Sequence, residues 1–242
     1  MIKGFRPDDN QYTPDIIISG SNFIPSTTGI SMSRVGVALD VEPISDVTGS
    51  KIVKLLDINR HFTTTSTGVY ELVGSEYIER ATWTSEYSSI TSLGNISLVA
   101  NYADKIKAAA LASVFEPISE APKAKIILEC SGMVLAFNYV DAEIVKDGWW
   151  SSSIYDHTKW IPADSNTASY GRLMDSTGEI VAAEVFNDKV CAYKEDSMYV
   201  GEYQGSELKW TWRVQDNLIG CVGKNAVCNT PYGQVFVNHR DI

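Results

Sequence analysis

The stretch VAAEVFNDKVCAYKEDSMYVGEY, from Val181 to Tyr203, decides the fold reading. Val181 to Phe186 is an apolar strand. Asn187-Asp188 is a pair that tolerates the left-handed backbone of a two-residue hairpin, and Val190 to Tyr193 supplies the returning strand. Lys194 to Ser197 turns the chain again before a third strand, Met198 to Tyr203.

The same pattern lies over four other places, so it reads as a repeat. The first turn of each copy falls at Asn59-Arg60, Gly94-Asn95, Ser131-Gly132, Asn187-Asp188 and Tyr232-Gly233, at spacings of 35, 37, 56 and 45 residues. The strands that follow are HFTTT, ISLVA, MVLAF, KVCAY and QVFVN. Periods of roughly 40 to 50 residues with several strands and no dominant helix predict β-propeller blades. The alternative is an antiparallel sandwich, whose turns recur about every 8 to 12 residues.

Around these copies the chain divides into an extended N-terminal arm, residues 1 to 45, and propeller blades, residues 46 to 242. The arm mixes Pro, Gly, Ser and Asp with one apolar run, Ile16 to Ile18; such punctuation predicts a segment laid over other protein surface. KIKAAALASVF carries alanines that favour helix, but the repeat register makes it an outer strand. KAKIILECSGMVLAFNYV has two continuous apolar strands, as expected where both faces of a sheet are covered. The polar excursion PADSNTASYGRLMDSTGEI accounts for the 56-residue spacing and is expected to be functional or interfacial. The fifth copy reaches the first residue of its third strand at Ile242. The last blade is therefore expected to be incomplete: either the natural polypeptide runs on, the favoured expectation, or another chain or the N-terminal arm completes the sheet.

The 242 residues carry 30 Asp and Glu against 20 Lys and Arg, a net charge of -10. That excess repels phosphate and predicts no stable nucleic-acid binding, while leaving DNA free to pass without sticking. No apolar run is long enough for a membrane span, and the start MIKGFRPDDNQ lacks a signal-peptide core. No membrane partner is expected. Cys130, Cys191, Cys221 and Cys228 form no CxxC pair and stand far from His61, His157 and His239, which argues against a zinc site and for reduced core thiols.

The residues that could carry chemistry are few. In SIYDHTKW, Ser153, Asp156 and Trp160 resemble the aspartate-box turns of sialidase-type propellers, without the glycine and the first aspartate. Their expected work is to lock a turn, Asp156 accepting backbone N–H groups while Trp160 packs between sheets. Asp156-His157 could pair with Ser151, Ser152 or Ser153, yet no nucleophile elbow surrounds them. Asp141, Glu143 and Asp147 lie close together in sequence, but a glycosidase pair must converge in space. Trp149, Trp150, Trp160, Trp210 and Trp212 are expected to wedge adjacent blades together. No catalytic, cofactor-binding or metal-binding residue is assigned, and no cofactor.

From about Tyr87 onward the chain resembles the β-propeller of short-tailed-phage tail hub and nozzle proteins. The resemblance is carried by a Trp-Ser start leading to Asp-x-Thr-x-Trp (Trp150-Ser151, then Asp156, Thr158, Trp160), by the Met-Tyr strand within Asp196 to Gly205, and by the Ile-Gly-Cys-Val step from Ile219 to Val222. NFIPSTTGIS, Asn22 to Ser31, resembles the entry segment of such proteins. His157 stands where a proline is usual. The resemblance implies a non-enzymatic virion protein of the phage tail, assembled in the host cytoplasm as a homo-oligomeric ring of six copies around the DNA ejection channel. Its implied partners are portal or adaptor and distal tail proteins. The competing expectation is a carbohydrate-binding or sialidase-like propeller, which would converge carboxylates and exposed aromatics at one mouth.

Overall fold

The computed structural model describes residues 23–26, 29–32, 44–55, 58–205 and 208–239. The chain divides into two units, Met1–Pro43 and Ile44–Ile242. In the first, β1 (Phe23–Ser26) and β2 (Gly29–Met32) pair as an antiparallel hairpin, Phe23 opposite Met32. Otherwise the expected arm, up to residue 43, lies outside the described residues, as does the expectation for Ile242.

The second unit is a succession of antiparallel sheets. β3 (Val47–Leu55), β4 (Ile58–Thr65), β5 (Gly68–Val73) and β6 (Glu76–Thr82) make the first; β7 (Ser89–Leu93), β8 (Ile96–Ala100), β9 (Lys107–Ala109) and β10 (Glu116–Pro117) the second. β11 (Lys123–Cys130), β12 (Met133–Val140), β13 (Ile144–Ser151) and β14 (Ser169–Arg172) make the third; β15 (Ala182–Phe186), β16 (Lys189–Tyr193), β17 (Met198–Tyr203) and β18 (Trp210–Asp216) the fourth. β19 (Val227–Thr230) and β20 (Gly233–Phe236) form a two-stranded fifth. Within every sheet the strands pair in chain order.

Alternation along the strands stacks these sheets. Met133, Leu135 and Phe137 of β12 point into one apolar cluster with Val190, Ala192 and Tyr199 of the fourth sheet. Val134 and Ala136, their period-2 neighbours, point the other way, into a cluster with Leu98 and Ile106 of the second. Val53, Phe62 and Val69 of the first sheet share a core with Ile90, Val99 and Phe115 of the second. Tyr193 and Val200 of the fourth pack with Val227 and Phe236 of the fifth. Each cluster therefore lies between two consecutive sheets, and the innermost strands β3, β7, β11, β15 and β19 follow one another in space. Four-stranded antiparallel sheets stacked in chain order through their faces are the blades of a β-propeller.

The hairpin turns explain the repeat. Asn187 and Asp188 have φ of 51° and 59°, and Ser131 and Gly132 of 55° and 73°, the left-handed pairs that a two-residue hairpin matched to strand twist needs. Gly94-Asn95 joins Leu93 to Ile96, with Gly94 taking left-handed backbone at φ 57°. Two of the five expected turns move. Asn59 and Arg60 lie inside β4, which begins at Ile58 opposite Leu55. Thr230 pairs with Gly233, so Pro231 and Tyr232 are the turn residues, proline presetting the backbone. The alanine-rich segment gives a short strand, Lys107–Ala109, rather than helix, and the polar excursion contains the outer strand β14.

Candidate functional site

Two regions of the propeller concentrate polar chemistry. One is the loop between β13 and β14, where the expected Asp156 turn forms. Asp156 Oδ1 accepts from the Thr158 backbone N–H at 2.9 Å and from its hydroxyl at 2.6 Å, and these bonds hold the carboxyl below its usual range. Trp160 is fully buried in the cluster between the second and third blades; its indole N–H donates to the His157 carbonyl and its own carbonyl accepts from Trp150 Nε1. The Glu120 carboxylate accepts from the Trp160 N–H at 3.1 Å and pairs with Lys159 at 3.0 Å, fixing the loop to the second blade's connection.

The serines beside this turn are committed elsewhere. Ser151 Oγ bonds Ser169, Ser152 Oγ accepts from the Val134 N–H, and Ser153 Oγ bonds Thr167. His157 is half-buried, and burial pushes its imidazole below the usual value, the Asp156 charge opposing. The structure thus leaves Asp156, His157 and the serines as a hydrogen-bonded loop rather than a relay. Asp147 is held by a fork from Arg172, at 2.8 and 3.0 Å, while Asp141 and Glu143 stand exposed at the β12–β13 turn. Trp149 and Trp210 lie in the core between the third and fourth blades, with Trp212 packed against it, and Trp150 in the core between the second and third. Cys130, Cys191 and Cys221 are buried free thiols and Cys228 is exposed; burial pushes Cys191 up to about 11.

The other region has no signature in the sequence. The innermost strands enclose an axial cavity of about 650 Å³, lined from all five blades. Lys51, Lys125 and Lys224 reach it from the first, third and fifth, with Glu179 and Glu184 from the fourth and its leading connection. Lys125 and Glu179 neutralise each other at 3.5 Å, the Lys125 ammonium lying 4.8 and 5.2 Å from the Tyr87 and Tyr102 ring centres. Asn138, at a bulge in β12 with φ of 51°, donates to both Glu179 and the Ile180 carbonyl.

Lys224 crosses this cavity. Its ammonium donates to the carbonyl of Ser88, 136 residues away. Water reaches the side chain, yet protein surrounds it, and this enclosure pushes the ammonium down to about 8, with Lys51 adding to the shift and Glu184 opposing it. Beside it Thr64 Oγ1 lies 2.7 Å from Ser88 Oγ and 3.2 Å from Thr48 Oγ1, forming a cluster of three hydroxyls.

No family model matches the sequence, and no curated protein matches it. Among solved structures the chain is similar to BBS1N as crystallised in complex with ARL6DN. Against the crystal soaked with mercury the TM-score is 0.45 at 12% identity, covering 82% of this chain and 68% of that one. Against the crystal soaked with lead it is 0.44 at 12%, covering 78% and 64%. The propeller fold stands on the sheet order and the cores shared between blades.

Proposed function

We propose that the protein is a non-catalytic structural component of a phage tail, a hub- or nozzle-type propeller that assembles with copies of itself, six as the resemblance implies, around the DNA ejection channel. The observation that carries this reading is the fate of the tryptophans. Trp149, Trp150, Trp160 and Trp210 are 6%, 8%, 0% and 5% exposed, wedged between blades, where a glycan-processing propeller would present such rings at a mouth. The Trp-Ser and Asp-x-Thr-x-Trp residues of the resemblance serve that wedging: Trp150, Asp156, Thr158 and Trp160 all brace one loop.

The braced loop also supports assembly. It projects Tyr155 and Ile161, 80% and 58% exposed, from a backbone pinned by hydrogen bonds, and an ordered apolar projection suits a repeated subunit contact. The net charge of -10 suits a channel wall that DNA passes without adhering. The test is electron microscopy of the purified protein together with light scattering. Closed rings of identical subunits with an acidic lumen are expected. A monomer at all concentrations, a basic lumen, or saturable binding on a glycan array would overturn the proposal.

A further inference from the structure

We propose that β20 is extended by β2 of a second copy, so that the N-terminal hairpin of one chain completes the fifth sheet of another. The first four sheets of the propeller have four strands each, while among the described residues the fifth has two, and its order stops at β20. The hairpin of β1 and β2 likewise supplies two strands that pair only with each other. Each of these four strands is four residues long. That the partner is a second copy rests on the self-assembling reading above; the fit of the two edges does not.

Register fixes which backbone groups each edge offers. In a two-residue hairpin the closing residues exchange both hydrogen bonds, and bonded and unbonded pairs then alternate along the strands. Thr230 and Gly233 close the fifth sheet's hairpin, so Gln234 and Phe236 sit at unbonded positions and turn their N–H and C=O groups away from β19. The Val237 N–H, which donates to the Ala226 carbonyl at 2.9 Å, keeps that alternation. In the N-terminal hairpin Ser26 and Gly29 close the turn, so Ile30 and Met32 of β2 present the same groups outward. Pro25, at an unbonded position of β1, has no N–H to offer on its outer side. Proline there makes β1 an edge and leaves β2 as the joining strand. Antiparallel pairing of Gln234 with Met32 and of Phe236 with Ile30 satisfies every outward group of these four residues and sets Val235 opposite Ser31.

Composition lets these edges meet. Natural edge strands are blunted by charge, proline or a bulge, and β20, with the sequence GQVF, has none of these. Residues 22–32 and 225–238 contain no charged side chain in a chain of net charge -10, so two copies approach here without like-charge repulsion. Beside the open edge Tyr232, Val235 and Val237 are exposed, an apolar surface that an added strand narrows. Strand addition of this kind draws its affinity from main-chain bonds. Because the two joined edges differ, the contact runs head to tail and repeats into a ring when its rotation closes.

The test uses the full chain carrying C228S, which removes the exposed thiol opposite Val235. S31C is added to one sample and V235C to another, and their mixture is oxidised and followed by non-reducing electrophoresis and mass measurement of the linked peptides. A covalent dimer joining positions 31 and 235 is expected in the mixture and in neither sample alone. Ile30→Pro removes one outward donor of β2 and no bond of its own hairpin, and is expected to lower the yield about tenfold with the melting temperature unchanged. No such dimer in the mixture, a yield unchanged by Ile30→Pro, or a chain with both cysteines that closes on itself as a monomer overturns the proposal. Rings that persist in electron microscopy without the link overturn the strand exchange alone, whereas a wild-type monomer at all concentrations overturns the self-assembling reading with it.

Discussion

Arg60 grips Glu71 with a two-pronged ion pair inside the first blade, Nε to Oε1 at 2.6 Å and Nη2 to Oε2 at 2.7 Å, with both residues buried. Arg80 adds a third contact to Oε2 at 2.7 Å, and Arg60 Nη1 reaches the Ala110 carbonyl of the second blade at 3.1 Å. The group is satisfied on all sides, so removing one member leaves a buried charge without its counterpart.

Glu71→Gln is therefore expected to destabilise the fold by about 3–5 kcal/mol, and chemical denaturation would measure it. The guanidiniums hold the Glu71 carboxyl below its ordinary value of 4.5, chiefly through the Arg60 hydrogen bonds. A carboxyl depressed in the fold contributes stability that is present above 4.5 and lost as pH falls through the folded value. Wild-type melting temperature should thus fall more steeply below pH 4.5 than that of Glu71→Gln.

Trp160→Ala should cost about 3–5 kcal/mol, because the indole is fully buried between two blades and its removal leaves a cavity. It also removes the donor to the His157 carbonyl. Trp160→Phe keeps most of the volume and is expected to recover more than half of that loss in urea melts.

Gly220 lies in the step into the fifth blade, where a Cβ would come within 2.1 Å of the Lys194 carbonyl oxygen and 2.4 Å of Glu195 backbone atoms. Backbone cannot yield as a flexible side chain can. Gly220→Ala should destabilise by about 1–3 kcal/mol. Hydrogen exchange should show the loss first in β19 and β20, which hang from that step, together with the Cys221 N–H that donates to the same carbonyl.

Asp188 occupies left-handed backbone, φ 59°, at the second turn position of the β15–β16 hairpin. Glycine takes that conformation without the Cβ penalty, and Asn-Gly is the favoured pair there. Asp188→Gly is expected to raise stability by about 0.5–1 kcal/mol, read as a shift in denaturation midpoint with the same slope.

The hairpin around Asn187 was legible because it depends on short-range chemistry: alternating apolar residues and a turn pair that tolerates left-handed backbone. Arg60 misled for the opposite reason. Beside Asn59 it reads as a polar turn, and only the distant Glu71 and Ala110 make it an interior strand residue. Lys194 gave no signal either. Its ammonium is buried and donates at 2.6 Å to the carbonyls of Leu173 and Ser176, holding a connection 18 to 21 residues away. The turn residues Asp156 and Trp160 were readable, since both act within one loop. The hydrogen bond from Lys224 to the Ser88 carbonyl was not, because it joins the fifth blade to the second.

Each greasy layer belongs half to one sheet and half to the next, as the opposite allegiances of Val134 and Leu135 illustrate. A sheet emerging alone from the ribosome therefore waits with one side wet until its successor arrives, and synthesis order becomes assembly order. Excising an interior sheet would strip two seams at once, so the protein admits trimming at its ends far more readily than deletion from its middle.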